Sequence, residues 1–166
     1  MVDTRATLRD GIAVGLIGYA AVAIFYSAFD LFAARGTFYT VDILGKAVFR
    51  GLRDPGVLLF PLQLDAQAIF WYNALHLVTS VAIGVIVTTL VSVAERQPSL
   101  RLAAFGAIAA GFVITIVVVG TLTEPLRPLL PWWSIVIANA VATLVAGSYL
   151  IKRRPGLSRS LGLVAG

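Results

Sequence analysis

Four long apolar stretches separated by short polar breaks dominate the chain. They run about Ile12–Ala34, Ala68–Val93, Leu102–Thr123 and Trp132–Ile151. At a rise of 1.5 Å per residue each can cross about 30 Å of hydrocarbon. The pattern predicts an all-α fold: a four-helix transmembrane bundle forming one domain over residues 1–154, followed by a loose cytoplasmic tail over 155–166. The run Ile12–Ala34 is far longer than the roughly 7–15 apolar residues of a signal sequence, so it reads as the first span.

The breaks between spans are well marked. Glu95 to Ser99 is short enough to make the second and third helices an antiparallel hairpin, and Glu124 to Pro128 separates the third from the fourth. Pro131 opens the last helix near its first turn, where a missing N–H costs nothing. Gly36 is expected to end the first span by taking the left-handed conformation of a helix C-cap.

One connection is too long to be a turn. Between Arg35 and Gln67, the segment 40–53 shows Val41, Leu44, Val48 and Leu52 at helical spacing. Asp42 and Lys46 form an i,i+4 pair, with Arg50 and Arg53 completing a polar side. This predicts an outer amphipathic helix, lying in the membrane interface or covering the bundle end. The apolar run Pro55–Pro61 is too short to span and reads as a re-entrant dip or a packed cap.

Composition strengthens the membrane reading. The chain has 166 residues, 59% hydrophobic and only 13% charged, with a mean hydropathy of +0.93. Soluble domains are about 45–50% apolar and about 25% charged. There is no cysteine, which excludes disulfides, thiolate metal sites and thiol nucleophiles. The net charge of +5 points to topology and anionic lipid rather than nucleic acid.

Counting Lys and Arg near the span ends sets the expected orientation. Eight lie on the side of the termini: Arg5, Arg9, Arg96, Arg101, Lys152, Arg153, Arg154 and Arg159. Five lie on the other: Arg35, Lys46, Arg50, Arg53 and Arg127. Both ends are therefore expected in the cytoplasm, in a bacterial inner membrane. Trp71, Tyr72, Trp132 and Trp133 begin the two helices entering from the outer face, as interfacial aromatics do. Lys152, Arg153 and Arg154 serve as a topology anchor or touch anionic headgroups.

Ionisable residues within spans are costly and become site candidates. Asp30 and His76 qualify, with the neutral Asn73 and Asn139 beside them. Asp30 lies roughly 6 Å from the outer end of its span, and His76 and Asn139 roughly 10–12 Å. The four define a candidate polar layer in the outer half, above an inner half that reads as almost purely apolar. In one reading Asp30 pairs with His76 to hold a quinone-like headgroup, a proton or a metal edge. In the other, these groups are hydrogen-bonded glue between helices, at about 0.6–2 kcal/mol each. No haem is expected, because one histidine cannot supply bis-His ligation within one chain. No metal is expected either, because no carboxylate pair accompanies it.

Small residues at i,i+4 spacing mark faces where helix backbones can approach: Gly11 and Gly15 in the first span, and Gly106 and Ala110 in the third. Ala142 and Ala146 repeat the spacing in the fourth. Soluble-enzyme motifs such as a phosphate-binding loop, G-x-S-x-G or HExxH do not occur.

The run Phe70-Trp71-Tyr72-Asn73-Ala74-Leu75-His76-Leu77, with Phe29-Asp30 upstream and Pro131-Trp132-Trp133-Ser134 downstream, resembles a family of small four-span bacterial membrane proteins with no known activity. That likeness implies only that these segments belong to a recurring design. The expected role is a non-catalytic accessory subunit of a larger membrane complex, respiratory or photosynthetic. The rival roles are an oligomeric small transporter and a quinone- or haem-associated electron-transfer protein using Asp30 and His76.

Overall fold

The computed structural model describes residues 4–58 and 62–154. Residues 59–61 of the apolar run, and the tail 155–166, lie outside the described residues. The described chain is all-helical: α1 (Thr4–Phe32), α2 (Tyr39–Phe49), α3 (Ala66–Arg96), α4 (Arg101–Leu122) and α5 (Trp132–Arg153). Short 3₁₀ turns at Pro55–Val57, Pro98–Leu100 and Glu124–Leu126 join them. Four of the helices are long and apolar enough to cross a bilayer. The chain is a multi-pass integral membrane protein, with α2 as the short fifth helix of the first connection.

Helix α1 begins at Thr4, eight residues before the apolar stretch does, so the polar turn containing Asp10 belongs to the span-forming helix. Its other end also departs from expectation. The Arg35 N–H donates to the Asp30 carbonyl and the Ala34 N–H to that of Leu31, both at 3.0 Å. This 6→1 and 5→2 pattern is a Schellman closure, and it puts Ala34 in the left-handed region at φ 54°. Ala34, not Gly36, therefore ends the helix, at a strain of about 1–2 kcal/mol. Gly36 also takes a positive φ, 85°, in the turn that follows.

The central seam is α1 against α3, and glycine makes it. A Cβ on Gly15 would lie 2.5 Å from Val81 Cα, and one on Gly11 2.7 Å from Val85 Cα. A Cβ on Gly84 would collide with the Gly11 carbonyl oxygen and the Gly15 nitrogen. The Gly11/Gly15 face thus meets its partner inside the molecule. The Gly106/Ala110 face does not: a Cβ on Gly106 would meet no atom of another element within 4 Å, and Ala110 is exposed. Helix α5 packs on α1, while α4 contributes Ala104 alone to its buried residues.

Two apolar clusters close the ends. Near the termini, Val14, Val91, Ala146 and Leu150 meet with Phe105 and Ile108 beside them, so all four spans converge. At the opposite end Tyr39, Ile43, Ala47 and Leu52 pack around Leu126, which is fully buried. Of the described residues of the Pro55–Pro61 run, Leu58 packs against this cluster, whereas Val57 is 66% exposed.

Substitution of Gly84 by Ala is expected to destabilise the protein by about 1–3 kcal/mol, because both neighbours of the new methyl are backbone. Gly106→Ala is expected to stay within about 0.5 kcal/mol. Reversible unfolding in mixed micelles of both variants checks the difference.

Candidate functional site

Polar side chains gather at three levels of the bundle. At the α2 end, Asp30 is 1% exposed although it belongs to a span. Its carboxylate accepts the Thr40 N–H at 2.7 Å and the Thr40 hydroxyl at 2.6 Å. It therefore satisfies an orphan donor in the first turn of α2 and places negative charge at that helix's positive end. Arg35 donates to the Leu129 carbonyl at 2.8 Å and lies over the Tyr39 ring, 5.1 Å from its centroid. Burial pushes the Tyr39 phenol above its ordinary value.

The acid of α2 points inward as well. Asp42 is fully buried, against the expectation that it would sit on a polar, outward side. It pairs with Lys46 at 2.6 Å and accepts the Asp65 N–H at 2.6 Å. Val48, expected on the apolar stripe, is half exposed. The helix turns this way because Gly45 must face the start of α3: a Cβ there would lie 2.6 Å from the Ala68 carbonyl oxygen. Asp65 then caps α3 through the Ala68 N–H at 2.9 Å, and its other oxygen binds Arg50 Nε at 2.9 Å. Arg50 and the capped N–H hold the Asp65 carboxyl below the usual carboxylate range.

The middle level lies in the α1–α3 seam. The Tyr19 hydroxyl donates to Asn73 Oδ1 at 3.0 Å, and the Asn73 amide donates to the Ile69 carbonyl at 2.9 Å. The His76 ring packs between Tyr19, 5.2 Å between centroids, and Tyr72, stacked at 6.2 Å. Its Nε2 is buried with no hydrogen-bond partner among the described residues. No hydrogen bond or ion pair joins it to Asp30, whose carboxylate is engaged by Thr40. Asn139 bonds back to the Ile135 carbonyl of its own helix at 2.8 Å. The four residues of the predicted layer are thus not one site: Asn73 and His76 share the seam, Asp30 belongs to the α2 junction, and Asn139 stands apart. Tyr26 and Ser134, 3.4 Å apart, link α1 to α5 between these levels.

The third level borders the expected apolar inner half: Asp10, Glu95 and Arg154 lie just beyond the ends of the apolar stretches, and Ser92 lies just inside one. Where α1, α3 and α5 converge near the termini, Arg154 reaches into the bundle, its side chain only 13% exposed. Its Nη1 donates to Ser92 Oγ at 2.6 Å and to Glu95 Oε2 at 3.0 Å. Its Nη2 donates to Thr7 Oγ1 and Asp10 Oδ2, both at 3.4 Å. Arg154 is therefore not a headgroup contact, because two carboxylates draw it inward. Arg153 approaches the other Asp10 oxygen at 3.8 Å, outside hydrogen-bond range. The sequence carried one clue to this cluster. Thr7 and Asp10 continue the helical stripe of Gly11, Val14 and Gly15, so they face the same neighbours.

No family model, curated protein or solved structure matches this chain. Its chemistry therefore rests on its own geometry, which is that of charges and hydroxyls bonded to one another across helices.

Two outcomes follow. Arg154→Ala removes the cation that Asp10 and Glu95 share and leaves Asp10 only the half-exposed Arg153 at 3.8 Å; it is expected to cost about 3–5 kcal/mol, read by unfolding in micelles. For Asp65, the lowered folded value means its contribution is complete above the unfolded value of about 3.9 and fades as pH falls through the folded one. Asp65→Asn keeps a capping side chain and removes the charge. Its thermal midpoint is expected to fall less steeply than that of the wild type below about pH 4.

Proposed function

We propose that this protein is a non-catalytic subunit of a membrane assembly, joined to other membrane-embedded chains or to its own copies through α4. One observation carries the reading: only 6% of the apolar window containing α4 is buried, against 11% in α1 and 28% in both α3 and α5, and α4 has Ala104 as its one buried residue where α1 has six. The Gly11/Gly15 face is used within the molecule, and Ala146 of the third small-residue face is buried in the core. Gly106, Ala107, Ala110 and Gly111 stay open on α4, and small residues are what helix interfaces in lipid favour.

The rival roles have less support. A transport path within one chain would have to pass the seam where Gly11, Gly15 and Gly84 bring two backbones into contact, and one between copies would run along the apolar outer faces of the spans. An electron-transfer role would need a redox group at His76, and the described residues offer it no second histidine or carboxylate ligand: Nε2 is buried without a partner. The orientation we propose, both termini in the cytoplasm of a bacterial inner membrane, rests on the count of basic residues.

The chain has no cysteine, so single cysteines report cleanly. Gly106→Cys and Ala110→Cys are expected to crosslink in native membranes into species larger than the monomer, while Gly84→Cys is not. Monomer alone at every exposed α4 position would overturn the proposal.

A further inference from the structure

Three consecutive basic residues end α5, and the fold gives them three different fates. Arg154 is withdrawn into the bundle by Asp10 and Glu95. Arg153, half exposed, shares Asp10 at 3.8 Å. Lys152 is exposed and has no carboxylate or hydrogen-bond partner among the described residues. The acids that could have neutralised it are taken by its neighbours.

Lys152 also stands at one end of a shallow, open groove of about 420 Å³, lined on one face of α5 by Leu144, Val145, Ser148 and Tyr149. These positions form one strip along α5. From Leu144 to Lys152 the strip rises about 12 Å, most of the roughly 15 Å depth of one hydrocarbon leaflet. The Ser148 hydroxyl is bonded back to the Leu144 carbonyl at 2.7 Å, which leaves the Tyr149 phenol, one turn from Lys152, as the polar group of the lining. The strip is apolar through the leaflet and cationic where the helix meets the headgroups.

We propose that this groove is a binding site for an anionic phospholipid, its acyl chain lying along Leu144, Val145 and Tyr149 and its phosphate against Lys152. The free cation selects for headgroup charge. An apolar groove alone would accept any lipid of the same chain length. Other exposed basic residues near this end, Arg5, Arg9 and Arg96, add a diffuse attraction for the same leaflet.

The test uses the purified full chain in neutral detergent, titrated with phosphatidylglycerol or with phosphatidylcholine of the same acyl chains, and read by native mass spectrometry. Wild type is expected to prefer phosphatidylglycerol. Lys152→Gln is expected to weaken that lipid about fivefold and leave phosphatidylcholine unchanged. Leu144→Trp, which fills the groove, is expected to weaken both, and Arg153→Gln to keep the preference. Equal affinity for the two lipids in the wild type, an unchanged preference in Lys152→Gln, or loss of preference in Arg153→Gln to the same extent would each overturn the assignment. Occupancy by inorganic phosphate alone at the lipid's affinity would overturn the lipid as ligand. Lys152 is exposed, so unchanged lipid-free unfolding of Lys152→Gln is expected and would separate lost binding from lost folding.

Discussion

The approach of α1 to α3 through Gly11, Gly15 and Gly84 constrains everything built around it. Hydrocarbon gives helices no hydrophobic reason to associate, so close packing must supply the attraction. Three glycines allow the two backbones to touch, and a long line of contacts becomes available on either side. The seam leaves no room for large polar groups at its midpoint. They are displaced toward Asn73 and His76 on one side, and toward Thr7, Asp10 and Ser92 on the other.

At both ends the displaced groups become fasteners between elements remote in sequence. Asp30 ties the last turn of α1 to the first of α2, and Asp42 ties α2 to the approach to α3. Arg154 ties α5 to α1 and α3 together. Buried ion pairs of this kind are not efficient sources of stability, because desolvation offsets most of their attraction. Their effect is on register. An Asp10 carboxylate inside the bundle tolerates only arrangements that bring a cation to it, and Arg154 does so when α5 has one length and one rotation. The polar residues of this protein thus act first on which packing is adopted.

Helix α4 escapes these constraints. Among the described residues no ion pair reaches it, Arg101 donates to the Ala94 carbonyl at 3.2 Å, and its buried set is Ala104. A span so weakly tied to its own chain offers most of its surface to lipid or to another protein. The strip of α5 from Leu144 to Lys152 faces outward in the same way, with a cation at its end. The molecule therefore has a fastened three-helix body and an outward-facing remainder.

The number of spans, the hairpin at Glu95–Ser99 and the helical first connection were all legible from hydropathy and spacing. Those signals are local, and a bilayer imposes them on each segment separately. The Gly11/Gly15 face was legible for the same reason, although its partner, Gly84, was not. What local pattern could not show was direction. Asp42 reads as the polar side of an amphipathic helix, yet it is buried because Gly45 must face Ala68 and because Lys46 and the Asp65 N–H are there to receive it. Asp10 reads as a residue outside the membrane, and Arg154 as one more basic residue at a helix end. They become partners across 144 residues only when α1, α3 and α5 converge. A buried charge is tolerated by virtue of its neighbours in space, so its place follows from the assembled bundle, whereas an apolar span is tolerated by virtue of its own side chains and declares itself in the sequence.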